Sequence, residues 1–138
     1  GLTVVELSAT PEMAADPNLA LPVITAGLLA NPDTRLIAYP GGQMLGNAGT
    51  FMQAAGKQPG DVINIGFDTS PQIVQAFEQG WVQLTSDQQP FLQGYLPIIQ
   101  LYLSSTFGFS GLNVDTGAAL ITADNADAVA ALAAAAIR

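Results

Sequence analysis

The side chains best suited to chemistry gather just after segments that read as strands. Asp68 follows Val62–Phe67, Ser86, Asp87, Gln88 and Gln89 follow Trp81–Thr85, and Pro40-Gly41-Gly42-Gln43 follows Leu36–Tyr39. In an open α/β sheet that is where ligands bind, beyond the carboxyl ends of the strands. A carboxylate accepts hydrogen bonds from hydroxyls, and an amide both donates and accepts. A lining of acid, amides, hydroxyls and glycine backbone without a base suits a neutral polyol, and buried groups of this kind discriminate strongly for a ligand that satisfies them. Each candidate also has a plainer reading. Asp68 stands at even odds between ligand contact and helix cap, although Thr69 or Ser70 can cap in its place. Gln88 and Gln89 read equally as solvated loop residues, and Trp81 reads as core.

Catalysis is not expected. The chain has neither His nor Cys, which removes the commonest general base, the commonest metal ligand and every Ser-His or Cys-His triad. Asp115 and Asp124 belong to no carboxylate cluster with metal-loop spacing and read as solvated or capping residues. No catalytic residue, metal site or cofactor is assigned. Gly41-Gly42 is not a phosphate loop, because the dinucleotide and P-loop glycine patterns are both absent.

The 138 residues suffice for one domain or one lobe of something larger. Only 10% are charged while 49% are hydrophobic, the balance of a sheet buried by helices on both faces and not of a disordered chain. Three Lys and Arg face eleven Asp and Glu, for a formal charge of −8. Three cations cannot neutralise a run of phosphates, so nucleic acid and a polybasic membrane patch are not expected partners. The longest apolar run, Ala128–Ile137, is too short to span a bilayer. The start, Gly1-Leu2-Thr3-Val4-Val5, lacks the basic region of a signal peptide.

Strand and helix patterns alternate along the chain. Leu2–Leu7 is β-branched and predicts a first strand, and Asp16-Pro17 opens a helix that Asn31-Pro32-Asp33 stops. Leu36–Tyr39 is a second strand, and Met44, Ala48, Phe51 and Ala55 mark one face of a helix capped by Gly56. Val62–Phe67 is a third strand, followed by a helix from Pro71 with Ile73, Val74 and Phe77 inward and Gly80 at its end. Trp81–Thr85 is a fourth. A helix from Pro90, bent or split at Pro97, carries Leu92, Leu96, Ile99 and Leu103 on one side; Leu112–Ile121 is extended, and an Ala-rich helix closes the chain near Ile137. The fold class this predicts is α/β, a doubly wound parallel sheet with helices on both faces.

The stretch GDVINIGFDTSPQIVQAFEQGWVQLTSDQQPFLQGY, Gly60–Tyr95, resembles the second lobe of the type I periplasmic sugar-binding proteins, the ribose-binding-like solute receptors of ABC importers. A strand ending in Gly-Phe-Asp, a helix, a glycine and strand, then Gln-x-Pro and a helix containing glycine occur in that family's order. VDTGAALITADNAD, Val114–Asp127, is similar to the family's closing segment. The resemblance implies that Asp68 is the carboxylate that binds sugar hydroxyls and that Gln88 contacts the sugar beside the hinge at Gln89 and Pro90. It also places Gly41 and Gly42 where ribose-type members carry Asn-Asp, so a simple ribose specificity is not implied. Residues 1–138 then form a single C-terminal lobe of a two-lobe receptor, in which 91–107 is the piece that packs on the missing N-terminal lobe.

What the resemblance implies about function is a substrate-binding component for a sugar or polyol, working with the membrane subunits of an ABC transporter in the periplasm or another extracytoplasmic space, as a membrane-anchored lipoprotein in one full-length form. The alternative is the effector-binding core of a lactose-repressor-type transcription regulator, which shares the fold. A flavodoxin-like enzyme or response-regulator domain fits less well, since its phosphate loop or acidic cluster is missing. A lobe without its mate is expected to self-associate as a homodimer.

Overall fold

A polar residue followed by proline starts the helical segments at Pro11, Pro17, Pro71 and Pro90, since proline's fixed φ suits the first helical turn, and in all but the last the preceding side chain takes up a free N–H. In a computed structural model describing residues 1–117 and 119–138, Thr10 caps α1 (Pro11–Ala15) and Asp16 caps a 3-10 turn, Pro17–Ala20, that runs into α2 (Leu21–Ala30). The Asn31 side chain closes α2 by donating to the Gly27 carbonyl at 2.9 Å. Strand β1 (Leu36–Ala38) leads to α3 (Gly42–Gly46) and α4 (Ala48–Ala54), β2 (Ile63–Phe67) to α5 (Pro71–Glu78), and β3 (Leu84–Asp87) to α6 (Pro90–Phe107). Strand β4 (Ala119–Ile121) and α7 (Ala126–Ala134) complete the chain. No described helix is long and apolar enough to cross a membrane.

The four strands lie in the order β1-β2-β3-β4. The first three are parallel, with Ala38 opposite Ile65 and Phe67 opposite Ser86, and β4 runs antiparallel to β3 with Leu120 opposite Ser86. The sheet is thus α/β and mostly parallel, as the alternation predicts. One core cluster joins Ile24 and Leu28 of α2, Leu45, Phe51 and Met52 of α3 and α4, Ile73 and Phe77 of α5, and Val129 of α7 to Val62 and Ile121 of the sheet region. The covering is closest on that face. Residues pointing the other way, Leu36, Ile63, Phe67 and Leu120, keep 43% to 58% of their surface exposed.

Several boundaries differ from the sequence reading. Leu2–Leu7 forms no strand: it is exposed, and among the described residues its backbone makes no main-chain hydrogen bond and pairs with no strand. β-branched composition supplies propensity, but a strand also needs a neighbour. The fourth expected strand begins three residues late. Trp81 and Val82 are buried and their N–H groups both turn back to the Ala76 carbonyl, finishing α5 before pairing starts. Ser86 and Asp87 therefore belong to β3 and not to the loop after it. Helix α6 runs unbroken through Pro97 and has no buried residue. Of the extended stretch Leu112–Ile121 only Ala119–Ile121 is a strand, and Ala118 lies outside the described residues. The last helix stops at Ala134, short of Ile137, and α1 was not expected at all.

Among the buried polar groups is Asn64, on the core face of β2 with 1% of its surface exposed. Its Oδ1 accepts from the Tyr39 hydroxyl at 3.1 Å, while Nδ2 donates to the Val62 carbonyl at 3.1 Å and the Trp81 carbonyl at 2.8 Å. Its backbone N–H donates to Gln83 Oε1 at 2.8 Å. Burial pushes the Tyr39 phenol well above its ordinary value of 10.0, because the charged phenolate would lose its hydration. The raised value means the folded state holds the proton longer than the unfolded chain does. Stability from this group is complete below pH 10 and is lost as pH rises beyond it. Tyr39→Phe strands Asn64 Oδ1 and is expected to cost about 1–3 kcal/mol in urea unfolding at neutral pH, while flattening the alkaline loss of stability above pH 10. An unchanged midpoint with an unchanged alkaline limb would show that the bond contributes nothing.

Candidate functional site

The parallel register places the candidate residues side by side. Phe67 of β2 lies opposite Ser86 of β3, so Asp68 and Asp87 end adjacent strands and Gln88 follows by one residue. Asp68 is held in a left-handed conformation, φ 71°, which Asp tolerates better than most side chains. Its N–H donates to the Ser86 carbonyl at 2.9 Å and its carbonyl accepts from Thr85 Oγ1 at 2.7 Å, so the turn is fixed to β3 from both sides. Capping falls to Ser70, whose hydroxyl accepts from the Ile73 N–H at 3.2 Å and leaves the Asp68 carboxylate free of that duty.

The carboxylate instead reaches across to the end of β1. Asp68 Oδ2 accepts from the Gly42 N–H at 3.2 Å. The approach requires glycine, because a Cβ at position 42 would stand 2.8 Å from the Asp68 Cβ and 3.1 Å from Oδ2. Gly41, extended at φ −161°, is the N-cap of α3. Three segments that follow three parallel strands therefore converge: Gly41-Gly42, Asp68 and Gln88. Among the described residues Asp68 Oδ1 and the Gln88 side-chain amide take part in no hydrogen bond. Both residues are half-buried. The arrangement offers a neutral ligand one carboxylate oxygen and one amide at a single sheet edge.

Gln89 and Pro90 sit where the chain leaves the sheet. Gln89 is left-handed at φ 54°, and its conformation is fixed from two sides. Its N–H donates to Asp87 Oδ1 at 2.9 Å and its Nε2 to the Thr116 carbonyl at 3.1 Å. Asp87 itself has no exposed surface and is neutralised by Arg138, 2.6 Å away. A buried charge of that kind needs a close partner. Pro90 begins α6, and Gln93 reaches back to the Gln88 carbonyl at 2.9 Å.

Two features of this edge escaped the sequence. Asp87, read as part of a polar loop, is the buried anion that holds Gln89, and only its odd position in the strand alternation could have signalled it. Thr69 Oγ1, weighed only as a cap, is shielded from solvent next to Asp68 in sequence, with no hydrogen-bond partner among the described residues. Among the described residues no group of three or more His, Cys, Asp or Glu side chains gathers that could hold a metal. Trp81, read as core, is 6% exposed.

A parallel-dominated sheet with polar groups beyond its strand ends is the place where open α/β domains hold ligands. The chain belongs to the family described as periplasmic binding protein domain, which it matches over residues 1–104. It is 43% identical over 63 residues to the xylose/arabinose-binding protein of Sulfolobus acidocaldarius, a match covering 44% of this chain and 15% of that protein. Among solved structures it resembles the carbohydrate transporter of Acidothermus cellulolyticus in complex with myo-inositol, with a TM-score of 0.79 and 29% identity over 90% of this chain and 43% of the other. The Caulobacter myo-inositol binding protein gives a TM-score of 0.66 and 26% identity, over 80% of this chain and 38% of its own. The chain therefore spans well under half the length of these relatives.

The Gly42–Asp68 approach yields a direct test. Gly42→Ala puts a methyl group against the Asp68 side chain and is expected to cost about 1–3 kcal/mol, the usual range for overpacking. Urea denaturation of this chain would read it. A variant as stable as the parent would mean that the two strand ends are not held in contact.

Proposed function

We propose that this chain is the C-terminal lobe of a two-lobe receptor that binds a sugar or polyol and delivers it to the membrane subunits of an ABC importer, outside the cytoplasmic membrane. The observation that carries the reading is the convergence of Asp68, Gln88 and Gly41-Gly42 at one sheet edge with unspent hydrogen-bonding groups and no base among them. In this reading Asp68 accepts from ligand hydroxyls, Gln88 adds an amide contact, and the backbone at Gly41-Gly42 approaches the ligand where a side chain would not fit. The chain acts by recognition and not by catalysis. Ligand bound between two lobes favours their closed arrangement, and the strained turn at Gln89-Pro90 is the hinge.

The apolar surfaces support an absent partner. Phe91, Tyr95, Ile98, Leu101 and Tyr102 of α6 are each about half exposed or more. The open sheet face adds Ile63, Phe67 and Leu120. Contiguous apolar surface of this kind marks an interface, and the relatives' greater length supplies the chain to cover it. We assign 91–107 to the segment that packs on the N-terminal lobe.

In a receptor carrying both lobes, Asp68→Ala is expected to lose about 2–4 kcal/mol of sugar binding, because it leaves ligand hydroxyls without a charged acceptor. Calorimetry with D-xylose, L-arabinose and myo-inositol reads this, and unchanged affinity for whichever of them binds would dismiss the assignment. The isolated 138-residue chain is expected to self-associate through α6 at micromolar concentration, measured by light scattering. A monomer that also binds one of these sugars at micromolar affinity would show a complete receptor and sink the one-lobe reading.

A further inference from the structure

Asp87, the last residue of β3, is a carboxylate with no exposed surface, and its two oxygens have separate duties. Oδ2 accepts from both Nε and Nη2 of Arg138, each at 2.6 Å. That leaves Oδ1 for the Gln89 N–H, at 2.9 Å. The chain sets three Lys and Arg against eleven Asp and Glu, and this is the one ion pair among the described residues. It stands at a buried strand end and not on the open surface, where such pairs contribute little.

The end of α7 delivers Arg138 to this place. That helix buries Ala126, Val129 and Ala133, packs on α5 and stops after Ala134. Ala136 then turns left-handed at φ 54°, and the N–H groups of Ile137 and Arg138 both fold back on the Leu132 carbonyl, at 2.9 and 3.2 Å. Only 27% of the Arg138 side chain stays exposed. Among the described residues the non-glycine positions with positive φ are Asp68, Gln89 and Ala136, and two of these stand at the ends of this one chain of contacts. Such backbone persists only where its surroundings over-determine it. Gln89 is doubly unfavourable, because a residue before proline is pushed toward extended backbone.

We propose that Arg138 is the positioning residue of this turn: through Asp87 it holds Gln89 left-handed, and so it sets the direction in which α6 leaves the sheet. A carboxylate with no exposed surface is tolerated only beside a close partner. Without the guanidinium, Asp87 has to reach water, and Oδ1 lets go of the Gln89 N–H. Gln89 then keeps only its side-chain bond to the Thr116 carbonyl and relaxes toward the extended backbone that Pro90 favours. As a statement about a hinge the inference rests on the function proposed above, under which ligand affinity comes to depend on a residue that touches no ligand. As a statement about Gln89 it stands on the contacts alone.

Amide hydrogen exchange on the 138-residue chain reads this directly. It needs no sugar, so it is decided apart from the receptor reading that Asp68→Ala tests. Arg138→Met keeps an apolar stem and removes the charge. It is expected to speed exchange at Gln89 at least about tenfold more than at Ile65 in the middle of β2, whereas a loss of stability alone would speed both alike. Asp87→Asn combined with Arg138→Met supplies a neutral amide that needs no cation and still offers an oxygen to Gln89, and it should bring Gln89 back to within about threefold of the parent chain. Should Arg138→Met alone not fold, Arg138→Lys takes its place: it keeps the charge, gives up the two-pronged contact, and should speed Gln89 about threefold more than Ile65. Exchange at Gln89 that rises only in step with Ile65 overturns the proposal. So does fast exchange that persists in the double variant, because Arg138 would then act otherwise than through Asp87.

Discussion

The interaction on which the rest of this fold depends is the set of hydrogen bonds around Asn64. One fully buried amide on the central strand takes the Tyr39 hydroxyl from the end of β1 and gives its own protons to the carbonyls of Val62 and Trp81. In a low-dielectric interior an unpaired amide is costly, and a satisfied one specifies its neighbours' positions closely. Three segments that must be in register for the strand ends to converge are thereby tied to one side chain. Tyr39 fixes where β1 stops, and Gly41-Gly42 follows at once. The Trp81 carbonyl fixes where α5 gives way to β3, and so where Ser86 meets the Asp68 N–H.

The strand-end edge is polar but not loose. Asp68 and Gln89 both occupy left-handed backbone, a conformation that persists only where the surroundings enforce it. For Asp68 they are Ser86, Thr85 and the Gly42 N–H. For Gln89 they are the Asp87 carboxylate and the Thr116 carbonyl, with Arg138, 51 positions further along the sequence, neutralising Asp87. These bonds fix the backbone that carries Asp68 and Gln88, so under the proposed function a ligand would meet a preset edge.

Much of this was legible in the sequence because it follows from local rules. Helix starts at Pro71 and Pro90, the caps at Gly56 and Gly80, and the buried stripe Ile73, Val74 and Phe77 depend on neighbours within a turn or two. The placement of Asp68 after a parallel strand followed from alternation of strand and helix. What failed depended on partners far along the chain. Leu2–Leu7 has strand composition but pairs with no strand among the described residues, so propensity alone forms no strand. Trp81-Val82 has strand composition too, but the end of α5 claims its N–H groups. Asp87 looked like one more polar loop residue because Arg138, which makes its burial tolerable, lies far along the sequence.

The chain leaves the sheet after Gln88 and rejoins it at Ala119, and the excursion is pinned at its base. Ser86 Oγ donates to the Gly117 carbonyl and Gln89 Nε2 to that of Thr116. Gln89 N–H to Asp87 Oδ1 and Gln93 to the Gln88 carbonyl add to the anchoring, and none of the described residues between, α6 included, belongs to the core cluster. Closing a longer loop costs only about 0.6 kcal/mol per doubling of its length. The fold thus treats this excursion as an exchangeable cassette: its length and surface can drift to suit whatever it meets, while the scaffold that carries the strand ends stays the same.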